Sequence, residues 1–153
     1  MPKEIFKATA SLQEGVKVDV QARGFHITID EPENLGGTNQ GMNPVEMLLG
    51  ALGACQSIVA RVYSHKFGVE LEDFRVELEG DLDTDGFMNK SDVRRGYSDI
   101  RYTYFIKSPS PEENISALAD FIAKTCPVDD TIANPVNVSR TNIVIEKPVK
   151  QAF

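Results

Sequence analysis

The sequence predicts an α+β fold: antiparallel sheet, helices segregated to one side of it, and one long central helix. Three observations point there. Alternating apolar and polar residues recur at 16–20, 25–30, 74–80 and 100–106, the period of half-buried strands. One uninterrupted stretch of helical period follows Asn43 for about 20 residues. The order of elements is strands, long helix, strands, helices, strand. At 153 residues the chain is expected to form a single domain, 1–153, with one core.

Glu14-Gly15 reads as a hairpin turn, and beyond it Val16, Val18 and Val20 alternate with Lys17 and Asp19. After Arg23-Gly24 the alternation resumes at Phe25, Ile27 and Ile29. Residues 30–42 form a long loop rich in turn formers, a kind often functional in compact domains. Asn43 then supplies an N-cap, Pro44 suits the first helical position, and Glu46 completes a capping box. Met47, Leu48, Ala51, Leu52, Cys55, Ile58, Val59 and Val62 carry the helix to about Lys66, and Phe67-Gly68 ends it. It is apolar on much of its circumference and is expected to lie deep. Gly50 and Gly53 each cost about 1 kcal/mol relative to alanine, which suggests close packing against another element.

Strands 74–80 and 100–106 come next, joined by the polar stretch 81–98. A second helix is predicted from Ser110 as cap, with Pro111 and two acids in the first turn, and Ile115, Leu118, Ala119 and Ile122 on its apolar side. A short helical turn opens at Cys126-Pro127, and 138–146 is expected to close the fold as a strand. A buried helix about 30 Å long is more than these hairpins can cover. An intertwined homodimer is therefore expected.

Composition excludes several functions. The formal net charge of −7 argues against nucleic acid as the main partner, and the one basic pair, Arg94-Arg95, is flanked by Asp92 and Asp99. The apolar run 45–54 is broken by Glu46 and two glycines and is short for a membrane span. The N-terminal residues lack an apolar signal region, so a cytoplasmic setting is expected, where thiols stay reduced.

Cys55 and Cys126 are the only cysteines. Cys126 gains thiolate character if it caps the turn at Pro127. Cys55 lies mid-helix and needs a cation from elsewhere, for which Arg23 is the candidate. The alternative is that Cys55 is one more small apolar residue on a buried helix. Zinc is disfavoured, because two cysteines 71 positions apart with only His26 and His65 show no paired ligand spacing. His26 reads as a polar strand residue, and His65 as a complement to the helix dipole. No cofactor is called for.

Asn43-Pro44-Val45-Glu46 through Gly53-Ala54-Cys55, followed about seventy residues later by Cys126-Pro127-Val128, resembles the OsmC/Ohr superfamily over nearly the whole chain. The resemblance implies an OsmC-like intertwined homodimer with active sites at the subunit interface. It also implies thiol peroxidase activity in oxidative-stress defence. Cys55 would attack an organic hydroperoxide and become a sulfenic acid; Cys126 would resolve it as a disulfide. A dithiol such as dihydrolipoamide would then reduce the protein. Peroxidases of that superfamily carry a glutamate two residues after the motif's asparagine, paired with an arginine. Here that place holds Val45, and Glu46 lies one residue later. At roughly 100° per residue, nine steps put Glu46 and Cys55 on opposite helix faces. Glu46 therefore reads as a helix cap. Met42, Met47 and Leu48 would favour an apolar hydroperoxide as substrate. The alternatives are a redox sensor, a binder of a small lipid-like ligand on the same fold, or a structural dimer with inert thiols.

Overall fold

The computed structural model describes residues 3–149. Strands β1 (Thr9–Leu12), β2 (Val18–Ala22) and β3 (Phe25–Ile29) form an antiparallel sheet in chain order, with Leu12 and Ile29 both opposite Val18. Arg23 and Gly24 close the β2–β3 hairpin at φ of 53° and 85°. Two left-handed residues match the strand twist in such a turn. β4 (Asp73–Leu82) and β5 (Tyr97–Lys107) form a second antiparallel pair, with Val76 opposite Tyr104 and Leu78 opposite Tyr102. The helices are α1 (Pro44–Tyr63), the single turn α2 (Thr84–Phe87), α3 (Glu112–Thr125) and α4 (Pro127–Ala133).

The long helix starts where its local chemistry dictates. Asn43 Oδ1 accepts from the Glu46 N–H at 2.9 Å, and a Glu46 carboxylate oxygen accepts from the Asn43 N–H at 2.8 Å. α1 then packs on the inward face of β4; the alternate residues Phe74, Val76 and Leu78 of β4 and Ile100, Tyr102 and Tyr104 of β5 are half-buried. A Cβ at position 53 would lie 2.7 Å from Leu78 Cδ1, so the close approach of helix to strand accounts for Gly53. Val59, Ala60, Val69, Leu71, Leu118 and Ile122 make the core, where α1 meets α3. Phe121 joins it from α3, its ring 4.8 Å from Tyr63 and 5.1 Å from Phe67.

Three expectations need correction. No strand forms at 138–146: Val138, Ile143, Val144 and Ile145 stand exposed in irregular backbone. Alternation of apolar residues makes a strand only where another strand completes its hydrogen bonds, and none in the described protomer does. As expected of a helix that the hairpins cannot cover alone, α1 is half-covered in the protomer. It buries Leu52, Gly53, Gln56, Val59 and Ala60, but Ile58 and Val62 are 64% and 52% exposed. By length and mean hydropathy the 24 residues Pro44–Phe67 would suffice to cross a bilayer, longer than the run 45–54 suggested. Their packing on β4 and α3 is that of a core helix. Finally, Ser110 does not cap α3. Its Oγ accepts from the Glu70 N–H at 2.8 Å, and Pro111 takes the cap position without a side-chain bond.

The loop 30–42 is ordered around one carboxylate. Asp30 is buried and accepts from the Glu31, Thr38 and Gln40 N–H groups and from the Thr38 hydroxyl, the last at 2.6 Å. These bonds favour the ionised form, and the Asp30 pKa is lowered to about 2, the Thr38 hydroxyl contributing most.

Candidate active site

Cys55 sits past the middle of α1, and Cys126 is the N-cap of α4. The fold brings these distant residues near each other, close enough for Cys55 to shift the Cys126 thiol. Both are free thiols and they differ in setting. Cys55 is half-buried, whereas Cys126 is 1% exposed. Pro127 opens α4 at its first position, and the Asp129 N–H donates to Cys126 Sγ at 3.4 Å.

A helix start was expected to lower the Cys126 pKa; the net displacement is upward. Burial is the largest cause, and the bonds from the Asp129 and Val128 N–H groups, which favour the thiolate, do not offset it. The neighbouring Cys55 adds to the rise, because a Cys126 S–H can donate to the Cys55 sulfur. Burial thus favours the protonated form of the Cys126 thiol.

Other sequence-derived candidates lie elsewhere. The Glu46 carboxylate is occupied by the capping box at the start of α1. Arg23 sits at the tip of the β2–β3 hairpin with its guanidinium 5.4 Å from the Phe25 ring centroid, and it makes no ion pair among the described residues. That hairpin lines a hollow with Pro44 and Met47 of α1 through Val18, Val20, Ile27 and Ile29, and Arg23 is not among the lining residues. His26 Nδ1 is 3.0 Å from the Asp19 carboxylate across the β2–β3 pair. His65 lies in the 3-10 turn after α1. Among the described residues no cluster of three or more His, Cys, Asp or Glu has the makings of a metal site.

The three apolar candidates do not share one pocket. Met47 lines a hollow of about 300 Å³ with Ala10, Val18, Val20, Ile27, Ile29 and Pro44. Leu48 lines a wider depression of about 520 Å³ that includes Tyr97, Tyr102 and Asp129. Met42 is exposed.

The OsmC-like protein family model matches residues 37–140, a span that includes both cysteines. The chain belongs to this family. A hydroperoxide reductase of Mycoplasma genitalium is 27% identical over 133 residues, covering 86% of this chain and 89% of that protein. The crystal structure of an OsmC-like protein from Mycoplasma pneumoniae superposes with a TM-score of 0.76 at 26% identity, covering 88% of this chain and 91% of the other. An organic hydroperoxide resistance protein OsmC from Legionella pneumophila shares the fold at 18% identity, with a TM-score of 0.63 over 86% of this chain and 91% of that one.

In this OsmC-like chain the site includes residues that sequence reasoning missed. Gln56 is fully buried, and its Nε2 donates to Asp129 Oδ2 at 3.4 Å. The Tyr102 hydroxyl donates to the same oxygen at 3.3 Å. Tyr104 stacks on Tyr102, with centroids 5.2 Å apart. One signal was available: Gln56, Tyr102 and Tyr104 are polar groups on otherwise apolar inward faces. The partner on α4 could not be read, because it depends on how the helices dock.

Proposed function

We propose that this protein reduces organic hydroperoxides through Cys55 and Cys126. The observation that carries the reading is the asymmetry of the thiol pair: Cys55 half-buried on α1, Cys126 buried at the start of α4. The relative named a hydroperoxide reductase supports it. The Cys55 thiolate attacks the terminal peroxide oxygen and the O–O bond breaks. The alcohol leaves with a proton, and Cys55 becomes a sulfenic acid. Cys126 then attacks the Cys55 sulfur. An S–S bond forms, the S–O bond breaks, and water leaves with the Cys126 proton. A small dithiol such as dihydrolipoamide restores both thiols by exchange.

The reading includes a homodimer. The exposed Phe25 and Leu12 of the first sheet, Ile58 and Val62 on α1, and the uncovered segment 138–146 are the apolar surfaces a second copy would cover. In that assembly Arg23, which the protomer leaves at a hairpin tip, serves the thiolate of the site. Met42, Met47 and Leu48 contact the apolar part of the hydroperoxide.

Reduced protein mixed with cumene hydroperoxide tests this, with products followed by mass spectrometry. The native chain is expected to lose both thiols as one internal disulfide. Cys126→Ser is expected to stop at a sulfenic acid on Cys55, and Cys55→Ser to keep its remaining thiol. If both native thiols survive excess oxidant, the reading fails. A second reading, binding of a small apolar ligand without turnover, is favoured by the hollow beneath Met47, lined almost wholly by apolar side chains. Thiol survival together with co-purifying lipid would select it.

A further inference from the structure

Asp129 is the third residue of α4, and it makes contacts in three directions. Its N–H donates to Cys126 Sγ at 3.4 Å. Its carboxylate accepts from Gln56, the residue after Cys55 on α1, and from Tyr102 on β5. One side chain and its own backbone therefore link the buried sulfur, the helix that carries the other sulfur, and the sheet beneath both. α4 rests on α1 and α3 with Val128 and Ile132 only half-buried.

The same cluster is poorly arranged for stability alone. Gln56 Oε1 and the Tyr104 hydroxyl are buried without a hydrogen-bond partner among the described residues. Orphaned buried polar atoms are destabilising, and an apolar residue at position 56 would remove one of them. The cluster lies against the start of α4, where the Asp129 N–H places the Cys126 sulfur. Disulfide formation needs that placement, because only a narrow range of backbone separations and side-chain directions allows the bond.

We propose that Asp129 is a positioning residue for the second oxidative step, holding the start of α4 so that Cys126 Sγ faces Cys55. This rests on the peroxidase reading for its chemistry. The step itself consumes no further reagent: the S–O bond of Cys55 sulfenic acid breaks, the S–S bond forms, and the hydroxyl departs as water with the proton of Cys126. Asp129 also lines the depression that holds Leu48, so the two steps are timed separately.

Rapid-quench mass spectrometry separates the two steps in the native protein and in Asp129→Ala, Asp129→Asn and Tyr102→Phe. In Asp129→Ala the loss is expected to fall mainly on disulfide closure rather than on Cys55 oxidation. Its disulfide should form at least about tenfold more slowly, so that sulfenic acid accumulates and is trapped by dimedone. Asp129→Asn keeps an acceptor oxygen in place and should recover most of the loss; Tyr102→Phe, which removes one of the two side-chain donors, should lose less than Asp129→Ala. A second readout is independent of peroxide. Cys55 is first joined to glutathione, and the release of glutathione by Cys126 is timed. The same order of variants is expected there. The proposal is overturned if Asp129→Ala closes the disulfide at the native rate in both assays. It is equally overturned if the alanine and asparagine variants are slowed alike. Failure of native Cys55 to react with hydroperoxide would sink the peroxidase reading, while the glutathione assay would still decide the role of Asp129.

Discussion

At the scale of single residues, what a side chain does here depends on whether its partners are near in sequence. Glu46 meets Asn43 three residues away, so its cap was legible from the order of residues alone. Glu46→Ala is expected to cost about 1 kcal/mol of stability and to leave the rate of Cys55 oxidation unchanged. Urea denaturation and the thiol assay check the two halves of that prediction. A large loss of Cys55 reactivity would place Glu46 in the chemistry instead. Cys126 is the opposite case. Its position before Pro127 promised a helix N-cap, which forms, yet the tertiary burial of the sulfur raises the pKa that the helix start would lower. In the proposed mechanism, attack on Cys55 requires the Cys126 thiolate. Disulfide closure is therefore expected to keep accelerating above about pH 8.5, where an unperturbed thiol would level off. A stopped-flow pH series on the second step would reveal it, and a plateau below that value would contradict it.

At the scale of elements, the strands of both sheets and the long helix were readable because each carries its own period. Ends and loops were less so. The loop 30–42 looked like a string of turn formers, and nothing in its sequence marked Asp30 as its centre. That carboxylate is satisfied by groups up to ten residues away, which only the folded loop brings round. Asp30 has its pKa lowered from 3.8 to about 2 in the fold, so the unfolded chain takes up the proton first. Its stabilisation is fully present above pH 3.8 and is lost as pH falls through that window toward 2. Asp30→Asn should lower the urea midpoint at neutral pH, and the gap to the native protein should narrow across the acid window. A gap that stays constant with pH would show that the charge is not what holds the loop. The α3 start shows the complementary failure. Ser110-Pro111-Glu112 has the composition of a capped helix, but the hydroxyl is taken by the Glu70 N–H from across the fold.

At the scale of the whole molecule, the core is narrow and the uncovered apolar surface is wide. Leu118 and Ile122 are fully buried where α3 meets α1. Leu118→Ala is expected to cost about 2–5 kcal/mol, measured by chemical denaturation; a loss under about 1 kcal/mol would mean the site collapses around the smaller side chain. On α1 the face bearing Ile58 and Val62 points away from this core, and a Cβ at Gly50 would meet nothing within 4 Å. In the proposed homodimer that face is an interface. Sedimentation velocity is expected to give twice the chain mass for the native protein and a shift toward one chain for Ile58→Asp. A native monomer at micromolar concentration would remove the dimer from the reading.

The sequence by itself determined the α+β class, the long helix with its capping box, the α4 start at Cys126-Pro127 and the family, because each is written in short-range order or in a motif. Tertiary structure decided what depends on distant partners. It left 138–146 without a strand to pair with, kept Arg23 on a hairpin tip, and buried one of two thiols. It also drew Asp129, Gln56 and Tyr102 into one cluster beside them. Periodicity specifies which face of an element is apolar, but contact between elements is set by how those faces dock, and the chemistry of this site lies in that docking.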